Sequence, residues 1–150
     1  MKSKVIQRTI TAVLLSICLL GSMALIGCGG DDASAGKVTI TVDITLGVEA
    51  NDPTAVALAG QKGGNIYKVE ANFKDGDNVL TATQGSTLEV AVATSGDYIT
   101  TIDGLAATAT GGWVFTVNGE SPVVGADQIP VEDGDEIIWI YVADWTTYSF

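Results

Sequence analysis

The chain reads as a small α+β domain dominated by strands, with five or six strands and one or two short helices. Three stretches carry that reading. Residues 37–46 alternate strictly between β-branched apolar and polar side chains, the period of a strand with one buried face. Residues 113–117 run into Asn118-Gly119-Glu120, where Asn-Gly supplies the two positive-φ positions of a tight hairpin. Residues 137–142 are apolar throughout, which suits a central strand covered on both faces.

The elements follow in order. In residues 37–46, Val38, Ile40, Val42, Ile44 and Leu46 take one face, and Thr39, Thr41, Asp43 and Thr45 the other. Asp52-Pro53 opens a helix over residues 54–59: Asp offers a cap, Pro suits the first turn and Gly60 marks the stop. Lys62-Gly63-Gly64-Asn65 is a turn, and residues 66–73 form the second strand. Asp75-Gly76-Asp77 leads into a two-turn helix over residues 78–84, capped by Asp77 and closed by Gly85, with Val79 and two threonines lowering its propensity. Ser86-Thr87-Leu88-Glu89 has the spacing of a capping box, but residues 88–94 alternate at period two and read as a strand. Residues 98–103 are another. Beyond the Asn118-Gly119 turn, Pro122 confines the returning segment to an edge or a short strand. Asp133-Gly134-Asp135 turns into the last strand.

The first thirty residues have a different character. Lys2, Lys4 and Arg8 precede an apolar run over residues 9–26, the layout of a secretory signal peptide. Leu25-Ile26-Gly27-Cys28 resembles the bacterial lipobox, which implies that Cys28 is acylated and becomes the first residue of the mature chain. A small Gly before the Cys lets a peptidase reach the scissile bond, and the thiol accepts the lipid. Gly29-Gly30-Asp31-Asp32-Ala33-Ser34-Ala35-Gly36 is a polar, flexible tether. The expected organisation is a signal at residues 1–27, a tether at 28–36 and one domain at 37–150. That chain is exported and held on a membrane by its lipid, with the domain facing outside the cytoplasm.

Composition narrows the function. The formal charge is −11; residues 1–27 contain three bases and no acids, so the remainder carries −14. Such a domain repels phosphate backbones, which argues against nucleic acid as a partner. The chain has no His, and its two cysteines, Cys18 and Cys28, both precede the domain. Zinc sites of the usual ligands, Ser-His-Asp and Cys-His catalysis and thiol redox chemistry therefore lack their residues. Carboxylates alone can run glycoside hydrolysis, but nothing in the spacing points to it. The expectation is a domain that is not an enzyme and carries no metal.

Three segments resemble a known family: Gly111-Gly112-Trp113 through Glu120, Val124-Gly125-Ala126-Asp127-Gln128, and Glu132-Asp133-Gly134-Asp135 through Trp139. They are similar to bacterial surface domains of uncharacterised function related to the C-terminal β-domain of transcobalamin and intrinsic factor. Residues 37–46, 73–84 and 98–105 fit the same family in order. The resemblance implies a β-grasp-like fold, a sheet wrapping one short helix. In the cobalamin carriers the related domain closes over a corrinoid held against a separate helical barrel. This chain has no such barrel, so a corrinoid or other small ligand would need a partner for the second half of the site.

The candidate ligand contacts are Trp113, Asn118, Glu120 and the Gly104-Leu105 loop. Asn118 and Glu120 are loop positions, where exposed polar contacts concentrate, and hairpin chemistry explains them equally. Trp113, Phe115, Trp139 and Tyr141 either stack on a flat ligand or fill the core; the absence of disulfides favours the core. The acidic turns at residues 75–77 and 132–136 match no EF-hand spacing and read as solvated turns. The alternative function is a structural or adhesive surface module, in which the edge near Pro122 or the aromatic tail Trp145, Tyr148 and Phe150 engages another protein.

Overall fold

A computed structural model describes residues 33–149. The signal segment, Cys28 and most of the tether lie outside the described residues. The described residues form one compact unit with its own hydrophobic core, the property of a segment that folds by itself.

Seven strands and three short α-helices make up this unit: β1 (Gly36–Asp43), α1 (Thr45–Glu49), α2 (Pro53–Lys62), β2 (Ile66–Phe73), α3 (Val79–Gln84), β3 (Val90–Val92), β4 (Ile99–Ile102), β5 (Leu105–Ala106), β6 (Gly112–Val117) and β7 (Glu136–Val142). A 3₁₀ turn, Ala126–Gln128, precedes β7. The main sheet has the order β2-β1-β7-β6 and a small second sheet the order β3-β4-β5. At its centre β1 and β7 run parallel, Thr39 beside Glu136 and Val42 beside Trp139. Their outer neighbours β2 and β6 are antiparallel to them. The strand-dominated α+β class is as expected, and β7 occupies the central position that its apolar sequence implied.

The apolar alternation of β1 and the residue after it puts Val38, Ile40, Val42 and Ile44 fully into the core. Against that face packs α3, with Val79, Leu80, Ala82 and Thr83 buried. Thr83 Oγ1 turns back to donate to the Val79 carbonyl at 2.6 Å and accepts from Trp139 Nε1 at 3.1 Å, so the indole N–H of the central strand is satisfied inside the core.

Several local expectations need correcting. Strand β1 stops at Asp43 rather than at residue 46, because the Asp43 carboxylate accepts from the Thr45 N–H at 2.9 Å and turns the chain into α1. That makes three α-helices instead of one or two. Helix α2 passes through Gly60 and ends at Gly63, which adopts φ 77°, so the stop lies three residues later. Its cap is Asp52, as expected, which accepts from Thr54 and Ala55. The cap of α3 is Asn78, not Asp77: Asn78 and Thr81 form a reciprocal box, whereas Asp77 closes its own turn by accepting from the Lys74 N–H at 2.7 Å. Strands β3 and β4 are shorter than the alternation suggested, and the two-residue β5 brings the count to seven.

Candidate functional site

Strand β6 lies along one edge of the main sheet and carries candidate residues at both ends. At its start Trp113 is only 8% exposed. Its indole donates to the Leu105 carbonyl at 3.0 Å, and its ring meets Tyr141 edge-on at 5.2 Å. Leu105 is itself buried. The Tyr141 hydroxyl reaches Asp52 at 3.3 Å and the Ala106 carbonyl at 3.4 Å. Burial, reinforced by the Asp52 charge, pushes that hydroxyl up to about 12. The aromatics at this end are core, with their polar atoms committed.

Just beyond β4, Asp103 and Gly104 take positive φ values of 47° and 82°, a tight turn. Asp103 gathers three donors: the Lys62 ammonium at 2.7 Å, the Tyr67 hydroxyl at 2.9 Å and the Glu89 N–H at 2.9 Å. Burial alone would raise its pKa, but these donors outweigh it and hold the carboxyl below the usual carboxylate range. The Tyr67 hydroxyl is pushed far up, first by burial and then by Asp103, and Lys62 lies 4.8 Å above its ring. Lys62 and Tyr67 had no signal in the sequence, being about forty residues from the Asp103 they meet. The cluster anchors the Gly104-Leu105 loop to α2 and β2.

The other end of β6 is open. Asn118 and Gly119, at φ 52° and 82°, form the expected turn, and Val117 and Glu120 exchange backbone bonds of 2.9 and 3.0 Å. Pairing stops there, because Ser121-Pro122 leaves the sheet. Asn118 is stapled to the start of β7: its N–H donates to the Glu136 carbonyl, its amide to Asp135 Oδ1 at 2.8 Å, and its Oδ1 accepts from the Glu136 N–H at 3.0 Å. The chain then passes through the 3₁₀ turn, where Asn78 donates to the Asp127 carbonyl and Val79 to Ile129. Between hairpin tip and 3₁₀ turn lies an open cleft of about 490 Å³, walled by Val117, Asn118, Glu120, Ser121, Pro122 and Ile129. Val123, wholly exposed, and Val124, at 44%, stand beside it. The wall combines apolar surface with one carboxylate and one hydroxyl able to reach a ligand.

The structure thus separates the five candidate contacts. Gly104, Leu105 and Trp113 gather at one end of β6, and Asn118 and Glu120 at the other, five residues along or about 17 Å. The walls contributed by Ser121, Pro122 and Ile129 went unnoticed in the sequence, since only the 3₁₀ turn brings Ile129 back. In the tail, the Trp145 N–H donates to the Thr110 carbonyl at 2.8 Å and its ring lies over Gly112, although 42% of it stays exposed. Phe150 lies outside the described residues. Among the described residues no three His, Cys, Asp or Glu side chains are grouped to hold a metal, and no helix is long and apolar enough to cross a membrane.

In solved structures the chain is similar to haptocorrin in complex with Cbi, at 19% identity and a TM-score of 0.48, covering 71% of this chain and 25% of that one. It is also similar to a candidate metal-binding protein from Ruminococcus gnavus, at 22% identity and a TM-score of 0.42, covering 71% and 95%. The chain spans about a quarter of the length of haptocorrin. No curated protein matches it significantly. Residues 69–143 match a family described as a domain of unknown function, DUF4430. That match takes in the Gly111-Gly112-Trp113 segment, the Asn118-Gly119 tip and the Asp133-Gly134-Asp135 turn, and the chain belongs to the DUF4430 family.

Proposed function

We propose that the chain is a non-enzymatic binding module, exported and held on a membrane by a lipid on Cys28, that takes a small ligand at the open end of β6. The observation that supports this most is the cleft at the Asn118-Gly119 tip. Its frame is rigid, because Asn118 is stapled to β7, while Glu120 and Ser121 remain exposed to solvent. Its apolar walls and exposed valines suit a ligand with apolar faces and peripheral hydrogen-bond donors, the chemistry of a corrinoid. Openness on one side fits a half-site, in which a partner protein covers the other face of the ligand. The lipid accounts for the signal, Cys28 and tether in sequence.

Isothermal titration of residues 29–150 with cobalamin and with cobinamide tests the ligand. Saturable one-to-one heat that Glu120→Ala weakens supports the site. Absence of heat with both removes autonomous corrinoid binding. Mass spectrometry of the membrane fraction tests the anchor: a mature N-terminal peptide carrying acyl chains on Cys28 is expected, and an unmodified Cys28 rules the anchor out.

A further inference from the structure

Beyond residue 33 the chain has four basic side chains, Lys37, Lys62, Lys68 and Lys74. Lys62 closes α2 and is held by Asp103, Lys37 lies on β1 and Lys74 follows β2, so the charged side chains of β2 itself are one base and one acid, Lys68 and Glu70. Strand β2 is the outermost strand of the main sheet, and it is eight residues long. The Ile44 N–H donates to the Asn65 carbonyl at 2.9 Å. Carried along the register with β1, that bond turns the odd-numbered residues of β2 inward. The N–H and C=O groups of Ile66, Lys68, Glu70 and Asn72 therefore point outward from the sheet, and among the described residues no strand pairs with them. Ile66 is 55% exposed.

We propose that this edge pairs with the same edge of a second copy, antiparallel about a twofold axis at Val69. Only outward-pointing residues can face each other in hydrogen-bonded pairs, so registers differ by steps of two. One of them sets Lys68 against the partner's Glu70 and Glu70 against the partner's Lys68. A step in either direction sets Lys68 against its own copy, or Glu70 against its own copy, and like charges directly opposed are unfavourable. Charge thus selects one register and rejects its neighbours. In that register half-buried Val69 meets its counterpart on the axis, exposed Ile66 lies opposite Asn72, and about eight backbone hydrogen bonds form.

The intrachain partners do not oppose this arrangement. Lys68 reaches Glu136 at 3.1 Å and Lys37 reaches Glu70 at 3.4 Å, with every one of these side chains about half exposed or more. Such pairs hold little and can share their charges. The edge itself carries no net charge, Lys68 offsetting Glu70, so an acidic domain can pair there without opposing like charges. The contact is isologous, so it closes at two copies and leaves no free β2 edge. It lies at the opposite side of the main sheet from the β6 cleft and does not depend on what binds there.

Sedimentation equilibrium of residues 33–150 from micromolar to millimolar concentration tests the pairing. A monomer–dimer equilibrium is expected, which Lys68→Glu and Glu70→Lys each weaken roughly tenfold or more. Combining Lys68→Glu with Glu70→Lys restores it, because the opposite charges face each other again. Circular dichroism confirms that each variant is folded. A monomer at all concentrations overturns the proposal. So does a dimer indifferent to both reversals, or a doubly reversed chain that fails to recover.

Discussion

At the Gly112 end of β6 every polar atom of the aromatic cluster has a partner inside the protein: the Trp113 indole holds the Leu105 carbonyl, and the Tyr141 hydroxyl holds Asp52. At the Val117 end the same strand runs out into water, its tip braced by Asn118 but its Glu120 and Ser121 left uncommitted. Large aromatics on a sheet can serve a ligand or a core, and the geometry separates the two roles within one strand. The closed end stabilises; the open end has surface to offer. A substitution at the first should register in unfolding, and one at the second in binding.

Two changes at the closed end should have the largest effects. A Cβ on Gly111 would press on the Val142 and Ala143 carbonyl oxygens, backbone that cannot move aside, so Gly111→Ala is expected to lose on the order of 3 kcal/mol or more in urea denaturation. Trp113→Ala opens a cavity and removes the indole hydrogen bond to the Leu105 carbonyl, for about 3–5 kcal/mol. If Trp113→Ala instead kept full stability and lost only ligand, the division between the two ends would collapse.

Asp103→Asn should cost about 1–3 kcal/mol, since it weakens acceptance from Lys62, Tyr67 and Glu89 at a side chain only 8% exposed. It carries a pH signature as well. The folded state holds the Asp103 carboxyl below its ordinary value, so its stabilisation is present above the unfolded carboxylate range and is lost as pH falls through and below it. The variant should therefore show a flatter acid limb. Tyr141 works in the opposite sense. Its hydroxyl is raised to about 12 when folded, so that contribution is whole below about 10 and is lost as pH rises from there towards 12. Tyr141→Phe should lessen the alkaline loss of stability, measured by thermal melts across that range.

At the open end the effects shrink. Asn118→Ala removes the staple to Asp135 and Glu136 and strains a residue at positive φ, for about 1–2 kcal/mol. Glu120→Gln should leave stability within about 0.5 kcal/mol while reducing ligand affinity, so a titration and a melt on that one variant distinguish binding surface from scaffold.

What the sequence disclosed follows the range of the interactions involved. The strand faces of Val38 to Ile44, the Asn118-Gly119 turn and the Asp52 cap depend on neighbours close in the chain, and the unbroken apolar run of residues 137–142 marked its central place, so these patterns were readable. The errors were competitions between adjacent polar residues. Asp43 bent the chain after it into α1 although Ile44 kept the apolar alternation, and Asn78 outcompeted Asp77 for the helix cap because Thr81 could reciprocate. The site was less legible. Asn118 and Glu120 were visible as hairpin residues, but the cleft exists only because the 3₁₀ turn returns Ile129 and Pro122 diverts the chain. Nothing local announces that Lys62 and Tyr67 converge on Asp103, or that Trp113 and Asn118 face different surroundings.

The parallel pairing of β1 with β7 sets a schedule for the chain. Thr39 and Glu136 are neighbours in the sheet yet about a hundred residues apart in sequence, so a growing chain must hold β1 without its central partner until β7, the last strand of the described residues, emerges. A protein truncated before residue 136 would keep the β1–β2 pair and expose the flank that β7 should cover, an adhesive edge in place of a core. Anything that delays completion of the chain therefore postpones the whole main sheet rather than a part of it.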